Sequence, residues 1–456
     1  MEQIKENKMG YLPCGRLIFS MGLPIMISML IQALYNIVDS IYVARYSASA
    51  LTAVSLAFPI QSLMIALGAG TGVGVNSLLS KRLGQKRFKE ASDIAKTSLI
   101  LAAVYSVLFL VLGISFSSLF FSFQTADLQV QKDGAEYLSI ICVFSFGLFY
   151  QFALERLMQA TGNAFLHMIV QGFGAIVNII LDPIFIFGYF GLSPMGTKGA
   201  AIATVVGQIA AMLLALILNL LKNKEISLSF RSFKFSWETV GKIYKVGFPA
   251  IIMQSIASVM VFLMNKLLLP FSSYFGSVLG VYFKVQSFIF MPVFGLTNGF
   301  IPIVAYNYGA KHKERILRCV KIATLSAVSI MVFGTLLFQL FPSELMMLFD
   351  PDETMLRMGS DALRAISLSF IMAGVNIVYT SFFQAVGKGT LSLICSIVRQ
   401  LVCILPASYV LAITLGVDYS WYAFPIAEVV ALFMSVVYFK IIKKNKIDPI
   451  PSERKA

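Results

Sequence analysis

The sequence predicts an all-α membrane protein with twelve transmembrane helices in two pseudo-symmetric six-helix bundles. Three observations predict it. Of 456 residues, 58% are hydrophobic and only 13% charged, too few charges to coat a soluble protein of this length. The apolar residues fall into long runs that each meet the roughly 20 residues a bilayer core requires. Landmarks in the first half of the chain return in the second half at a nearly constant offset.

Charges, Gly/Pro clusters and polar patches delimit the spans in order at 17–45, 52–80, 94–118, 133–161, 165–190, 196–222, 240–270, 277–305, 318–340, 357–386, 391–415 and 418–443. The first run, from Leu17 past Ile41, is too long for a signal h-region and has no small-x-small site after it, so a retained span is expected. Of the 36 Lys and Arg, 28 fall on the side of the amino terminus and five on the other. That asymmetry predicts both termini in the cytoplasm. It also accounts for the net charge of +14 without nucleic acid, and leaves anionic lipid headgroups as the natural counter-charge.

The repeat is read from several pairs of segments. Met21-Gly22-Leu23-Pro24 opens the first span and Val246-Gly247-Phe248-Pro249 the seventh. Arg82-Leu83-Gly84 pairs with Asn307-Tyr308-Gly309, and Gln159-Ala160-Thr161-Gly162 with Gln384-Ala385-Val386-Gly387. These three pairs share one offset. Ile202-Ala203-Thr204-Val205-Val206 matches Ile426-Ala427-Glu428-Val429-Val430 one position out of step. Six spans per half means that both halves cross the membrane in the same sense, as in transporters with parallel repeats. The expected division is an N-lobe at 1–222, a basic, partly amphipathic cytoplasmic linker at 223–240 and a C-lobe at 241–456.

Several chemistries are excluded. Five scattered cysteines include no C-x-x-C pair and form no disulfide framework. His167 and His312 stand alone in sequence, so no metal site is expected on them. Gly68-Ala-Gly70-Thr-Gly72-Val-Gly74 sits mid-span with no strand before it, which argues for close helix packing rather than a phosphate cradle. Gly387-Lys388-Gly389-Thr390 lacks the Walker spacing. With no nucleotide site and no cofactor motif, the chain reads as a transporter rather than an enzyme, driven by an ion gradient.

The polar groups inside the membrane carry the chemistry. Asn178 and Asp182 are four residues apart, on one helix face. An ionisable group at such depth is costly and usually kept for function. Pro183 cannot bond the carbonyl of Ile179, so the stretch offers hard oxygens suited to a proton or small cation. Gln32, Tyr35 and Asp39 form one stripe of the first span, with Asn36 beside it. Gln151, Glu155 and Gln159 do the same in the fourth, and Thr204 and Gln208 in the sixth. Four polar faces in one lobe should converge on a wet cavity or on each other. The offset of the repeat carries Asp39 and Asp182 to Met264 and Ala407. Ion chemistry is therefore expected in the first half, with the second supplying a Met- and Phe-rich wall that adapts to varied apolar ligands and attracts cations. Its embedded polar groups are Asn265, Lys266, Lys284, Asn376, Arg399 and Glu428.

Along nearly its whole length the chain resembles the multidrug and toxic compound extrusion (MATE) transporters. The resemblance is carried by Gln32-Ala-Leu-Tyr35-Asn36-Ile-Val-Asp39, Gln159-Ala-Thr-Gly-Asn163, Asn178-Ile-Ile-Leu-Asp182-Pro183-Ile-Phe, Gly199-Ala-Ala-Ile-Ala-Thr204 and Pro302-Ile-Val-Ala-Tyr-Asn-Tyr-Gly-Ala310. It implies two six-helix lobes forming a V, and export of cationic, amphipathic compounds against inward H⁺ or Na⁺. One prokaryotic branch couples ions through positions matching Asp39, Asn178, Asp182 and Thr204, with Pro24 at a bend of the first helix. Glu155 stands where that branch tends to have Asn. The acids that another branch uses in the seventh and tenth helices are absent, with Ala257 and Gly374 near those positions.

The resulting expectation is a secondary antiporter of a prokaryotic plasma membrane, functional as a monomer. Asp39, Asn178, Asp182 and Thr204 would hold H⁺ or Na⁺. Gln32, Tyr35, Asn36, Gln151, Glu155, Gln159 and Gln208 would line the cavity, and Pro24 and Pro183 would act as hinges. The partners are the lipid bilayer and small organic cations, with no nucleic acid. The alternative is a flippase of the same superfamily for lipid-linked saccharides or another polyprenyl carrier, whose diphosphate would need cations such as Lys266, Lys284 and Arg399.

Overall fold

A computed structural model describes residues 7–272 and 274–451. Among them, ten helices are long and apolar enough to cross a bilayer, and two further helix pairs qualify as bent spans. Counting each pair once gives twelve: α1 Cys14–Tyr46, α2 Ala48–Gly84, α3 Phe88–Gln124, α4 Leu128–Val143 with Phe146–Ala160, α5 Ala164–Phe187, α6 Thr197–Lys222, α7 Trp237–Leu268, α8 Phe275–Gly309, α9 Lys313–Leu340, α10 Glu353–Ser367 with Phe370–Ala385, α11 Gly389–Thr414 and α12 Val417–Ile447. Every expected span is present, and most helices run beyond the apolar stretch. Two corrections concern boundaries. α7 already begins at Trp237, inside the segment expected as linker. Between Lys222 and Trp237 the chain forms only the three-residue turn Phe230–Ser232.

The fourth and tenth spans are broken rather than straight, bent by 45° and 50°. Each break carries a serine followed by phenylalanine, Ser145-Phe146 and Ser369-Phe370. A hydroxyl near a helix backbone competes for carbonyls, and Ser369 Oγ donates to the Ile366 carbonyl at 2.6 Å. α11 widens to i→i+5 turns over Val398–Ile404, just ahead of Pro406. The Pro406 ring clashes with the carbonyl four residues back and cannot donate to it, so the helix there must loosen.

The internal repeat reaches single hydrogen bonds. The turn after α2 places Lys86 at φ 59° and the turn after α8 places Lys311 at φ 63°. The amides of Arg87 and His312 close them on the carbonyls of Arg82 and Asn307, both at 2.9 Å. Gly162 and Gly387 take φ 90° and 79°, a left-handed conformation that glycine adopts without penalty. Asn163 and Lys388 then bond Met158 and Phe383 at 2.7 Å in each case. Asp127 and Asp352 cap α4 and α10, accepting from the amides of Val130 and Met355 at 3.2 and 2.8 Å. One offset relates the members of every pair, the same one that relates Gly162 to Gly387.

The chain forms two compact units, one built on Ile27–Ile243, the other on Lys8–Met26 and Tyr244–Ala456. The division therefore does not fall where the linker would place it. It runs through α1, shortly beyond Pro24, and through the first turns of α7. In the first unit the core is the cluster of Phe109, Phe121, Tyr137, Phe149 and Ile186. In the second, Phe275 stacks on Trp421 with ring centres 4.4 Å apart, and Phe370 takes Phe290 and Phe338 edge-on. The start of α1 lies against α8 at glycines. A Cβ on Gly295 would meet the Met26 backbone at 2.6 Å, and one on Gly299 the Gly22 amide at 2.9 Å. α8 is the most enclosed of the ten unbroken spans, with 67% of its apolar window buried against 28–39% for the others. On α3, by contrast, Val107, Ile114 and Phe123 are exposed, an apolar face suited to lipid.

Candidate functional site

The first unit holds the polar cluster, and glycines set its geometry. Where α5 crosses α6, a Cβ on Gly174 would meet Gly207 O at 3.2 Å, and one on Gly207 would meet Gly174 O at 2.9 Å. At the other end, a Cβ on Gly199 would lie 2.6 Å from the Phe185 backbone. Backbone contact at both points brings Asn178 and Thr204 together. Asn178 Nδ2 reaches Asp182 Oδ1 at 3.3 Å and Thr204 Oγ1 at 3.5 Å. Replacing Gly207 with Val should push the two helices apart. We expect a loss of about 1–3 kcal/mol, read as a lower thermal midpoint, together with reduced transport; an unchanged midpoint would contradict this packing.

Asp182 is fully buried and Asn178 is 3% exposed. From α1, the carboxyl of Asp39 lies within hydrogen-bonding reach of that of Asp182. Asp39 Oδ1, Asp182 Oδ2 and Asn178 Oδ1 are each buried with no hydrogen-bond partner. Three enclosed acceptor oxygens without a donor are an expensive arrangement for a purely structural cluster. Both carboxyls also lie close enough to interact with the phenol of Tyr137, which accepts from Gln61 Nε2 at 2.9 Å.

A small, half-open cavity lies beside this cluster, lined by Tyr35, Gln151, Gln171, Asn178, Thr204 and Gln208, with Gly174, Ala175 and Gly207 between them. Of the residues expected in the cavity wall, Tyr35, Gln151 and Gln208 are there. Gln32 is half-buried and Asn36 exposed, both outside this lining. Gln159 is buried and accepts from Arg156 Nη1 at 2.8 Å. Glu155 stands one hydrogen bond behind the wall, receiving Gln151 Nε2 at 2.9 Å. Pro183 lies inside α5, which continues to Phe187, and Pro24 lies inside α1.

Some features depart from the reading of the sequence. His167 is not alone: its Nδ1 is 3.3 Å from Glu155 Oε2, so the third carboxylate has an embedded base. Gln171, Tyr137 and Gln61 have no counterpart in that reading. Gln171 lies seven residues before Asn178, on the same helix face, so the stripe through Asn178 and Asp182 could have found it, whereas an isolated Tyr carries no pattern. The second half is not merely an apolar wall. Asn376 Nδ2 donates to Glu428 Oε1 at 2.6 Å, Ser435 Oγ donates to Asn376 Oδ1 at 2.6 Å, and Arg399 Nη1 is 3.4 Å from Glu428 Oε2. The glycine run of α2 is a packing surface as expected: a Cβ on Gly72 would strike Arg156 at 2.5 Å and one on Gly68 would strike Phe152 at 2.9 Å.

The MatE family model matches residues 24–184 and 249–410, two stretches that open on the equivalent prolines Pro24 and Pro249 of the repeat. Among curated proteins, the chain is 26% identical over 416 residues to "Multidrug export protein MepA" of Staphylococcus haemolyticus, covering 91% of each chain. It is 24% identical over 429 residues to the protein of that name in Staphylococcus aureus strain MRSA252, covering 93% of this chain and 94% of the other. Among solved structures, it is similar to one described as an outward-facing conformation of a multidrug resistance MATE family transporter of the MOP superfamily, with TM-score 0.89, 25% identity and coverage of 97% and 98%.

Proposed function

Because the chain belongs to the MatE family, we propose that it is a secondary antiporter that exports cationic, amphipathic compounds in exchange for inward H⁺ or Na⁺. Its place is a bacterial plasma membrane, with both termini cytoplasmic. The observation that carries the reading is the set of buried, unpartnered oxygens of Asp39, Asn178 and Asp182. They belong to acceptors of a hard ion, and two of them to carboxyls that repel when both are ionised. A proton or Na⁺ between them relieves that repulsion. An organic cation in the adjoining cavity relieves it too, so ion and drug compete for one negative charge. Asn178 orients the carboxyl of Asp182 and is itself held by Thr204, while Pro24 and Pro183 are where α1 and α5 yield when the load changes. Coupling of this kind is reciprocal: the drug must weaken the ion by the factor by which the ion weakens the drug.

The related flippase reading needs free cations for a diphosphate. Arg399, one of its three, is paired with Glu428, and the cavity beside Asp182 is lined by neutral side chains with no cation among them. The test is reconstitution into proteoliposomes and ethidium efflux under an imposed pH gradient or an imposed Na⁺ gradient, one at a time. One gradient should drive ethidium and the other should not. Efflux indifferent to both would overturn the antiport reading.

A further inference from the structure

Glu155 and His167 are buried titratable groups of the first unit that the exchange described above does not use. They are 3% and 8% exposed, on the second arm of α4 and the first turn of α5. His167 Nδ1 lies 3.3 Å from Glu155 Oε2 and has no aligned hydrogen bond. Gln151 Nε2 contacts Glu155 Oε1 at 2.9 Å and Gln171 Oε1 at 3.1 Å, and both glutamines line the cavity that reaches Asn178 and Thr204. The pair is therefore one hydrogen bond from the space beside Asp182.

Its depth differs from that of the carboxylates. His167 and Asp182 are fifteen residues apart on α5, about 22 Å along the axis. His167 sits beside the α4–α5 turn, and Ser80 of α2 bonds the Ala160 carbonyl there at 2.8 Å. That end of α2 carries Lys81 and Arg82, followed by Lys86 and Arg87, the basic side that charge asymmetry assigns to the cytoplasm. Asp182 stands toward the opposite end.

We propose that Glu155 and His167 form a second proton station, through which protons exchanged at Asp39 and Asp182 leave the cavity toward the side of the α4–α5 turn. The proposal rests on the antiport reading with H⁺ as the coupling ion. With a proton on the imidazole, the pair is imidazolium and carboxylate, neutral as a unit. Without it, the pair carries one negative charge inside the bilayer. Imidazole exchanges protons near neutral pH, which a cytoplasmic exit requires. The proton passes from a carboxyl at the far end to water in the cavity, then to His167, and on to the aqueous phase. Each transfer leaves the donor one charge more negative and the acceptor one more positive. Besides His167, Glu155 lies within electrostatic reach of Tyr35 of α1 and of Arg156 on α4 itself. The neighbouring helices add Lys81 and Arg82 of α2, the Asp93–Lys96 pair of α3 and Lys222 of α6 at this end. Arg82 is engaged by Glu90 at 3.1 Å, and Arg156 is bonded to Gln159.

The test is ethidium binding to the detergent-solubilised full-length protein in weak buffer, with released protons counted and affinity followed across about pH 5–8. In the wild type, the slope of log Kd against pH should exceed one proton. His167→Gln and Glu155→Gln should each lower it by about one while Asp182→Asn removes the remainder. Thermal midpoint and elution profile report folding; should one glutamine variant unfold, the other carries the comparison. Wild-type slope and proton count in a folded His167→Gln or Glu155→Gln protein would overturn the proposal and leave the antiport reading standing. So would a wild-type slope no greater than one. If the wild type releases no proton and moves ethidium on a Na⁺ gradient alone, H⁺ coupling and the proton station fall together.

Discussion

Asp39→Asn and Asp182→Asn, made singly, are expected to reduce ethidium efflux from proteoliposomes by at least about tenfold, the lower range of a typical coupling free energy, while the protein stays folded. An amide has the size of the carboxyl but brings an N–H₂ into a cluster defined by acceptors. It can neither take up a proton near neutral pH nor offer a charge to a cation. Folding should survive, because replacing a buried carboxylate with a neutral group removes a desolvation cost. Asn178→Ala and Thr204→Ala should be milder, since Asn178 donates to Asp182, Thr204 accepts from Asn178, and neither carries charge. Normal efflux by either Asp variant, with an unchanged thermal midpoint, would leave the cluster without its coupling role.

Arg399→Ala should be the most destabilising single change in the second unit, by about 3 kcal/mol or more. It strands Glu428, whose side chain is 7% exposed, with Asn376 as its remaining donor. Glu428→Ala should cost less. The arginine is 26% exposed along its side chain and lies in the loosened turns of α11, so it can extend toward polar surroundings. Changing both to Met should recover much of the loss, because well-packed apolar groups often replace a buried ion pair at little cost. Thermal midpoints of the three variants decide this. Equal losses in the two singles, or a double variant worse than either, would mean that the pair is not the strut its geometry indicates.

Much of the fold was legible in the sequence because lipid imposes one rule on every span: about 20 apolar residues closed by charges or turn formers. The repeat was legible through Gly162 and Gly387, since a left-handed turn favours glycine at both. The two bends were not, because Ser145 and Ser369 look like ordinary small polar residues in apolar runs. In the site, Asn178, Asp182 and Thr204 could be read from spacing within single helices. The pairing of His167 with Glu155 could not, since its partners lie on different helices and neither position repeats on the other's period. Arg399 and Glu428 stand out as embedded charges, yet a pairing between α11 and α12 leaves no trace in a periodicity.

The division of the two units within α1 has a consequence for the engineering of this chain. The segment Lys8–Met26 belongs to the second unit, and the opening of α7 up to Ile243 to the first. Each half has thus lent its opening segment to the other, in the manner of a domain swap built into one polypeptide. A fragment starting at Tyr244 would lack the piece of chain that covers Gly295 and Gly299 of α8. Chimeras between homologous halves should therefore take Lys8–Met26 from the parent of the carboxy-terminal half.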